Sequence, residues 1–191
     1  MSLISERLDA NLPLNVDHIL RLATKLGYAK QYESIEMPKD LKKMIITFLK
    51  AQSKDIRGYK AKQCYFNSQM LTLNTNFESM RDRFQYCEGY WMSPSIPIGI
   101  PHAWCVLDGK YVIDTTLTFD LFERKKDLSD RAIGSFPEGW EYYGICIDRS
   151  EILETLMKFQ ESVAFLDDYR VVQKRIKQYE AELAQKKNSQ S

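Results

Sequence analysis

The run Pro101-His102-Ala103-Trp104-Cys105-Val106-Leu107-Asp108-Gly109-Lys110-Tyr111-Val112-Ile113-Asp114-Thr115-Thr116 reads as a β-hairpin with a histidine on one arm and an aspartate on the other. The arms, His102 to Val106 and Lys110 to Thr116, are rich in β-branched and aromatic side chains, and Asp108-Gly109 between them is a turn signal. The register of the turn decides what the hairpin can do. A two-residue loop, Asp108-Gly109, puts His102 and Asp114 on opposite faces of the sheet. A three-residue loop, Leu107-Asp108-Gly109, places Gly109 in the left-handed position that glycine adopts at least cost, and sets His102 directly across from Asp114. Directly opposed β-carbons lie about 4.5 to 5.5 Å apart, within reach of an imidazole–carboxylate hydrogen bond. The three-residue loop is the expectation.

Ahead of the hairpin, Asp17 to Tyr28 place Ile19, Leu20, Leu22, Ala23 and Leu26 on one helical face, and Gly27 ends that helix. Lys39 to Gln52 repeat the signal with Leu41, Met44, Ile45, Phe48 and Leu49, behind Pro38 at the entrance. His18, the other of the two histidines, sits among apolar residues and is read as structural. A loop holding Gly58, from Ser53 to Lys62, leads into a helix from about Cys64 to Asn74. Phe84 to Met92 reads as a strand, and the proline- and glycine-rich Ser93 to Pro101 as a loop forming one wall of a cleft. After the hairpin come a polar connection, Arg124 to Gly139, and a strand, Tyr142 to Ile147. Ser150 is the expected N-cap of a helix with the face Ile152, Leu153, Leu156, Met157 and Val163. A last helix, from about Asp168 to Lys186, carries Tyr169, Val172, Ile176, Tyr179 and Leu183 at coiled-coil spacing, short enough to dock equally well on its own domain. Helices, then antiparallel strands, then helices describe an α+β domain. One such domain spans 1–166, and 167–191 form the C-terminal helix and a frayed tail.

The chain has 191 residues, 28% charged and 44% hydrophobic, the make-up of a folded globular protein. A net charge of +1 gives no electrostatic reason to expect nucleic acid as a partner. No apolar run approaches the roughly 20 residues of a membrane span, and the N-terminus lacks the apolar core of a signal peptide. The four cysteines form no Cys-x-x-Cys pair, and Cys87, Cys105 and Cys146 fall in strand-like runs where a thiol behaves as a small buried hydrophobe. That usage fits a reducing, cytoplasmic setting, with no ligand spacing for a metal and no cofactor motif.

Cys64 differs from the other three because it opens a helix. The first turn of a helix has unpaired N–H groups and the positive end of the dipole, and both favour a thiolate. A thiolate nucleophile needs a base, and the base needs an acceptor that fixes its tautomer and stabilises its cation. Cys64, His102 and Asp114 supply the three groups in that order along the chain. The Cys64 backbone N–H is an oxyanion donor, and the Gln63 side chain a second candidate. Tyr65, Asn67, Tyr90, Trp91 and Trp104 are candidates for the walls of the substrate cleft.

The runs Gln63-Cys64-Tyr65-Phe66-Asn67, Cys87-Glu88-Gly89-Tyr90, His102-Ala103-Trp104-Cys105-Val106 and Val112-Ile113-Asp114-Thr115-Thr116 resemble the transglutaminase-like branch of the papain-like cysteine superfamily, in particular small bacterial and phage members with no assigned role. The resemblance covers roughly 62–156. It implies a nucleophile helix bearing Cys64 packed on an antiparallel sheet bearing His102 and Asp114; it does not imply the substrate, for which a protein or peptide is the expectation. Two positions depart from the pattern. The oxyanion glutamine of papain-type members has no counterpart among Arg57, Gly58 and Tyr59, so that Gln63 adjoins Cys64 instead, and the usual Asp-Pro is Asp114-Thr115. The expected function is thiol-dependent acyl transfer (protease, amidase, deamidase or transglutaminase) through an acyl-thioester. The alternative is a non-catalytic binding or regulatory module that holds a protein partner through the cleft or the C-terminal helix.

Overall fold

The hairpin forms, but its turn comes one residue later than expected. In the computed structural model, which describes residues 14–53, 63–73, 80, 82–116 and 133–189, Leu107 pairs with Tyr111, Val106 with Val112 and Cys105 with Ile113. The loop is therefore Asp108-Gly109-Lys110, closed by the Lys110 N–H donating to the Leu107 carbonyl at 3.0 Å. Two forces move it. Leu107 is fully buried in a cluster with Phe48, Leu49 and Phe84, so it stays in the strand. Asp108 is held by Arg83, which donates to it through Nε at 2.8 Å and Nη2 at 2.7 Å, while the Asp108 N–H donates to the Arg83 carbonyl at 2.8 Å. Asp108 and Gly109 both take left-handed backbone, with φ of 54° and 66°. The pairing moves by an even number of positions, so His102 and Asp114 keep a common face and become diagonal neighbours.

Around this hairpin, β1 (Lys30–Tyr32), β2 (Phe84–Ser93), β3 (Ile96–Leu107), β4 (Tyr111–Ile113), β5 (Ile133–Gly134) and β6 (Glu141–Ile147) form one six-stranded antiparallel sheet in the order β1-β6-β2-β3-β4-β5. The expected loop from Ser93 to Pro101 is mostly strand: β3 begins at Ile96 and follows β2 in register, apart from a bulge between Trp91 and Ser93. Pro97 and Pro101 are tolerated there because β4 pairs only with Cys105 to Leu107, which leaves the earlier part of β3 with a partner on one side among the described residues. The short strands β1 and β5 carry too few residues to show a period in the sequence. The connection from Arg124 lies outside the described residues as far as residue 132, as do the loop through Gly58 and the last two residues.

Helices cover one face of the sheet. Helix α1 (Leu14–Leu26) and α5 (Tyr169–Asn188) pack together with Tyr86, Tyr90, Ala103, Ile145 and Ile147. Helix α2 (Lys39–Ser53) contributes Ile45, Phe48 and Leu49 to a second cluster, with Leu71 of α3 (Cys64–Leu73) and Phe84, Cys105, Leu107 and Ile113 of the strands. The opposite face is aromatic: Tyr32, Trp104, Phe136 and Tyr142 are buried there with Cys87, Val106 and Val112, and Trp91 and Trp140 pack at its margin. Glu88, buried in the middle of β2, ties the segment before α5 to the sheet by accepting from the Phe165 N–H at 2.8 Å and the Leu166 N–H at 3.0 Å.

The helices correct several expectations. Asp148, not Ser150, is the N-cap of α4 (Arg149–Phe159), whose Leu153 and Met157 point to solvent while Ile152 is buried. Met44 of α2 is likewise exposed. His18 lies on the exposed side of α1, 3.6 Å from Glu180, and not in the core. The coiled-coil spacing of α5 is consumed within the chain: Val172 and Tyr179 are buried, Ile176 and Leu183 pack on the same cluster, and Lys186 donates to the Leu26 carbonyl at 3.1 Å. Of that face only Tyr169 is exposed. Among the described residues no helix is long and apolar enough to cross a membrane.

Two strands approach most closely at Gly89 and Gly144, which pair with each other, while Gly89 also pairs with His102. A Cβ on Gly144 would stand 2.1 Å from the Glu88 carbonyl oxygen and 2.8 Å from the Trp104 ring. Backbone cannot yield there as a side chain would, so Gly144→Ala is expected to cost at least the roughly 1 to 3 kcal/mol of an overpacked core. Urea denaturation checks this; an unchanged midpoint would mean that the strands part without cost.

Candidate functional site

The first hydrogen bond of α3 runs from the Asn67 N–H to the Gln63 carbonyl at 2.9 Å, so Gln63 is the N-cap and Cys64 the first helical residue. The Cys64 N–H lies ahead of that bond, at the positive end of the helix. The buried side of α3 is polar, with Asn67, Ser68, Gln69 and Thr72 all enclosed. Each is bonded, as burial requires. Asn67 donates through Nδ2 to Thr116 Oγ1 at 3.1 Å, and the Ser68 and Thr115 hydroxyls lie 3.0 Å apart. Gln69 donates through Nε2 to the Tyr86 hydroxyl at 3.1 Å and to the Val163 carbonyl at 2.7 Å. Since Thr115 and Thr116 directly follow Asp114, these bonds set the helix that begins at Cys64 against the residues that follow β4.

His102 Nε2 and Asp114 Oδ2 are 2.6 Å apart, and the Tyr142 hydroxyl donates to the same oxygen at 2.8 Å. Asp114 has no exposed surface and His102 very little. Burial alone pulls the His102 pKa down. The charge and hydrogen bond of Asp114, followed by the influence of the nearby Cys64 sulfur, outweigh it and push the pKa up to about 10. Three elements thus bring His102 into a hydrogen bond with Asp114 and set Cys64 near the same imidazole. Burial, and then the charge and hydrogen bond of Asp114, hold the Tyr142 hydroxyl in its neutral form.

The other candidates separate. Gln63 is exposed beside Cys64. Tyr65 is half-buried against the helical core. Asn67 and Tyr90 are fully enclosed, Asn67 tying α3 to Thr116 and Tyr90 donating to Asp17 Oδ1 at 2.9 Å, so neither lines an open wall. Trp104 is also enclosed, its ring stacked near the imidazole with centroids 6.4 Å apart. Trp91 is half-buried, 6.2 Å from the imidazole centroid and edge-on to Trp140 at 5.0 Å. Of the aromatic candidates, Tyr65 and Trp91 remain near the surface, and Trp140 joins them. Tyr142 and the Ser68–Thr115 pair escaped the sequence analysis. Tyr142 lies in an apolar strand pattern that shows its ring but not its hydroxyl, and the serine and threonine become legible only when two distant elements are seen in contact.

Comparison of the chain with protein-family models, with curated proteins and with solved structures found no match.

A raised histidine pKa means that the folded state holds a proton the unfolded chain releases. The stability that the His102–Asp114 pair contributes is therefore fully present below the unfolded pKa of about 6.5 and is lost as pH rises through about 10. NMR titration of His102 is expected to show the imidazolium persisting well above neutrality, and Asp114→Asn to bring its pKa down. The difference between wild-type and Asp114→Asn stability profiles isolates this pair from Glu88, whose carboxyl burial raises to about 7. A His102 that titrates normally in both proteins would contradict the arrangement. Tyr142→Phe keeps the ring and removes one bond to a buried charge, for an expected loss of about 1.5 to 3 kcal/mol in denaturant unfolding.

Proposed function

We propose that this protein is a thiol-dependent acyl-transfer enzyme with the transglutaminase-like form of the papain-like core, in which Cys64 is the nucleophile, His102 the acid–base and Asp114 the group that orients it. The observation that carries the reading is the buried 2.6 Å contact between His102 and Asp114, with Cys64, at the start of a helix, near enough to the same imidazole to raise its pKa. A buried imidazolium has two N–H donors, and Asp114 satisfies one of them. A second contact to a cysteine at a helix N-terminus is what nucleophilic chemistry requires.

The steps follow from the geometry. The Cys64 sulfur, its proton held by His102, attacks a carbonyl carbon, and the charge that develops on the carbonyl oxygen is met by the Cys64 backbone N–H, with the exposed Gln63 side chain as the second donor. His102 then gives its proton to the departing amine as the C–N bond breaks, leaving an acyl-thioester on Cys64. Water or a second amine attacks the thioester and passes a proton to His102, and the Cys64 sulfur leaves. Asp114 stays ionised throughout, stabilised by the Tyr142 hydroxyl, and compensates the imidazolium each time it forms. Trp91 is half-buried beside the imidazole with Trp140 edge-on to it, which suits a protein or peptide substrate with an apolar side chain beside the reacting carbonyl.

The test is alkylation of Cys64 by iodoacetamide, followed by peptide mass spectrometry as a function of pH in wild type, His102→Ala and Asp114→Asn. Wild-type Cys64 is expected to react at mildly acidic pH, where an ordinary thiol of pKa about 8.5 is almost wholly protonated. The reaction at that pH should fall about tenfold or more in His102→Ala, the factor equivalent to a single pKa step. A Cys64 that reacts like an ordinary thiol in all three proteins would end the proposal.

A further inference from the structure

Outside the row described above, the structure brings two further thiols together. Cys87 of β2 and Cys146 of β6 are directly paired across adjacent antiparallel strands, with their sulfur atoms 2.8 Å apart. The Tyr32 hydroxyl lies between them, 3.4 Å from Cys87 Sγ and 3.1 Å from Cys146 Sγ. The two are unequal. Cys87 is fully buried beside Trp104, whereas Cys146 lies beyond the last residue of β6 that β1 pairs with, and its side chain is exposed. It borders a surface pocket of about 200 Å3 formed with Thr72, Phe84, Gln85 and Arg149.

We propose that Cys87 and Cys146 form a reversible redox site, closing a cross-strand disulfide by exchange with a low-molecular-weight disulfide such as glutathione disulfide. The Cα atoms of directly opposed residues in an antiparallel pair lie about 4.5 to 5.5 Å apart, inside the span of about 4.4 to 6.8 Å that a disulfide bridges. Closure therefore needs no rearrangement of the strands. The division of labour follows from exposure. Cys146, reached through the pocket, is the attacking thiol, and Cys87, shielded from solvent, is the resolving thiol. Their environments agree with this: the hydrogen bond from Cys87 lowers the Cys146 pKa to about 7, aided by Tyr32 and the charge of Lys30, while burial raises that of Cys87.

The exchange balances. The Cys146 thiolate attacks one sulfur of glutathione disulfide, forms a mixed disulfide and expels one glutathione thiolate. Cys87 then attacks the Cys146 sulfur and its proton passes to the departing glutathione thiolate, which closes the protein disulfide and releases the second glutathione. Two protein thiols lose two electrons and two protons, and one disulfide is reduced to two thiols. An exposed disulfide of this kind is returned to thiols by excess glutathione, so the site responds to the ratio of the two forms and is not a permanent staple. The proposal is independent of any chemistry at Cys64.

The test exposes the full chain, as wild type and as Cys64→Ser, to buffers of increasing glutathione disulfide. Remaining thiols are then blocked with iodoacetamide and the protein is digested without reduction. The expected result is loss of two of the three thiols of Cys64→Ser, loss of the same two in wild type with any glutathione adduct on Cys64 read from its own peptide, recovery of a peptide pair joining Cys87 to Cys146, and return of both thiols with dithiothreitol. Cys87→Ser should stop at a single glutathione adduct on Cys146, and Cys146→Ser should leave Cys87 reduced. Absence of the joined peptides from the native wild-type protein, their appearance only in denaturant, or preferential pairing of Cys105 would overturn the proposal whatever the variants do.

Discussion

A carboxylate without access to water is the point on which this structure turns. Asp114 ends its strand inside the protein, and an isolated buried charge would cost more than the fold can bear. His102 and Tyr142 both approach the same oxygen, one from β3 and one from β6. The strand order places β2 between those two, so the carboxylate is satisfied only when the sheet has assembled across three strands. Gly89 and Gly144 are the spatial condition for that assembly, because they let β2 and β6 come close at the level of His102.

The helix of Cys64 is fastened to the same place by a different force. Most helices in the protein are held by apolar stripes, which tolerate small slips along their axis. Helix α3 instead buries Asn67, Ser68, Gln69 and Thr72, and a hydrogen bond is lost with a displacement that an apolar contact would absorb. Its bonds to Thr115 and Thr116 link the helix to the residues next to Asp114. The position of the Cys64 sulfur relative to the imidazole thus depends on short polar contacts, which suits a group whose chemistry depends on distance.

The parity of strands explains how much of this was legible in the sequence. The hairpin from Pro101 to Thr116 was visible because β-branched and aromatic runs flank Asp108-Gly109, and the common face of His102 and Asp114 survived a misplaced turn because the pairing moved by an even step. What moved the turn was tertiary: Leu107 is claimed by the core and Asp108 by Arg83, and neither partner is near in sequence. The long helices were visible for the usual reason, a sustained apolar period, but the period overstates burial, as the exposed Met44, Leu153 and Met157 show. The strand at Ile96 was hidden by its prolines, which mark a loop unless one knows that β4 is too short to pair there. Asn67 and Tyr90, read as cleft residues from their neighbourhood to Cys64 and Trp91, are structural, because neighbours in sequence on a helix or strand need not share a side.

The cysteines show how far the kind of element determines chemistry. Cys105, near the end of β3, is enclosed, its thiol donating to the Ser68 carbonyl, and burial outweighs its polar contacts with Thr72 and Ser68 to raise its pKa to about 12. It is an inert filler, as sequence reasoning expected of all three strand cysteines. Cys87 fits the same description on its own strand, but Cys146 does not, because β1 is too short to cover the end of β6. A strand position therefore guarantees inertness only when both neighbours extend past it. Cys64 escapes enclosure in another way, by standing at the first residue of a helix, with backbone donors ahead of it and an imidazole beside it. Covered strand interior, uncovered strand end and helix start produce three different thiols from one side chain, and only the last meets a base that is itself oriented by a buried carboxylate.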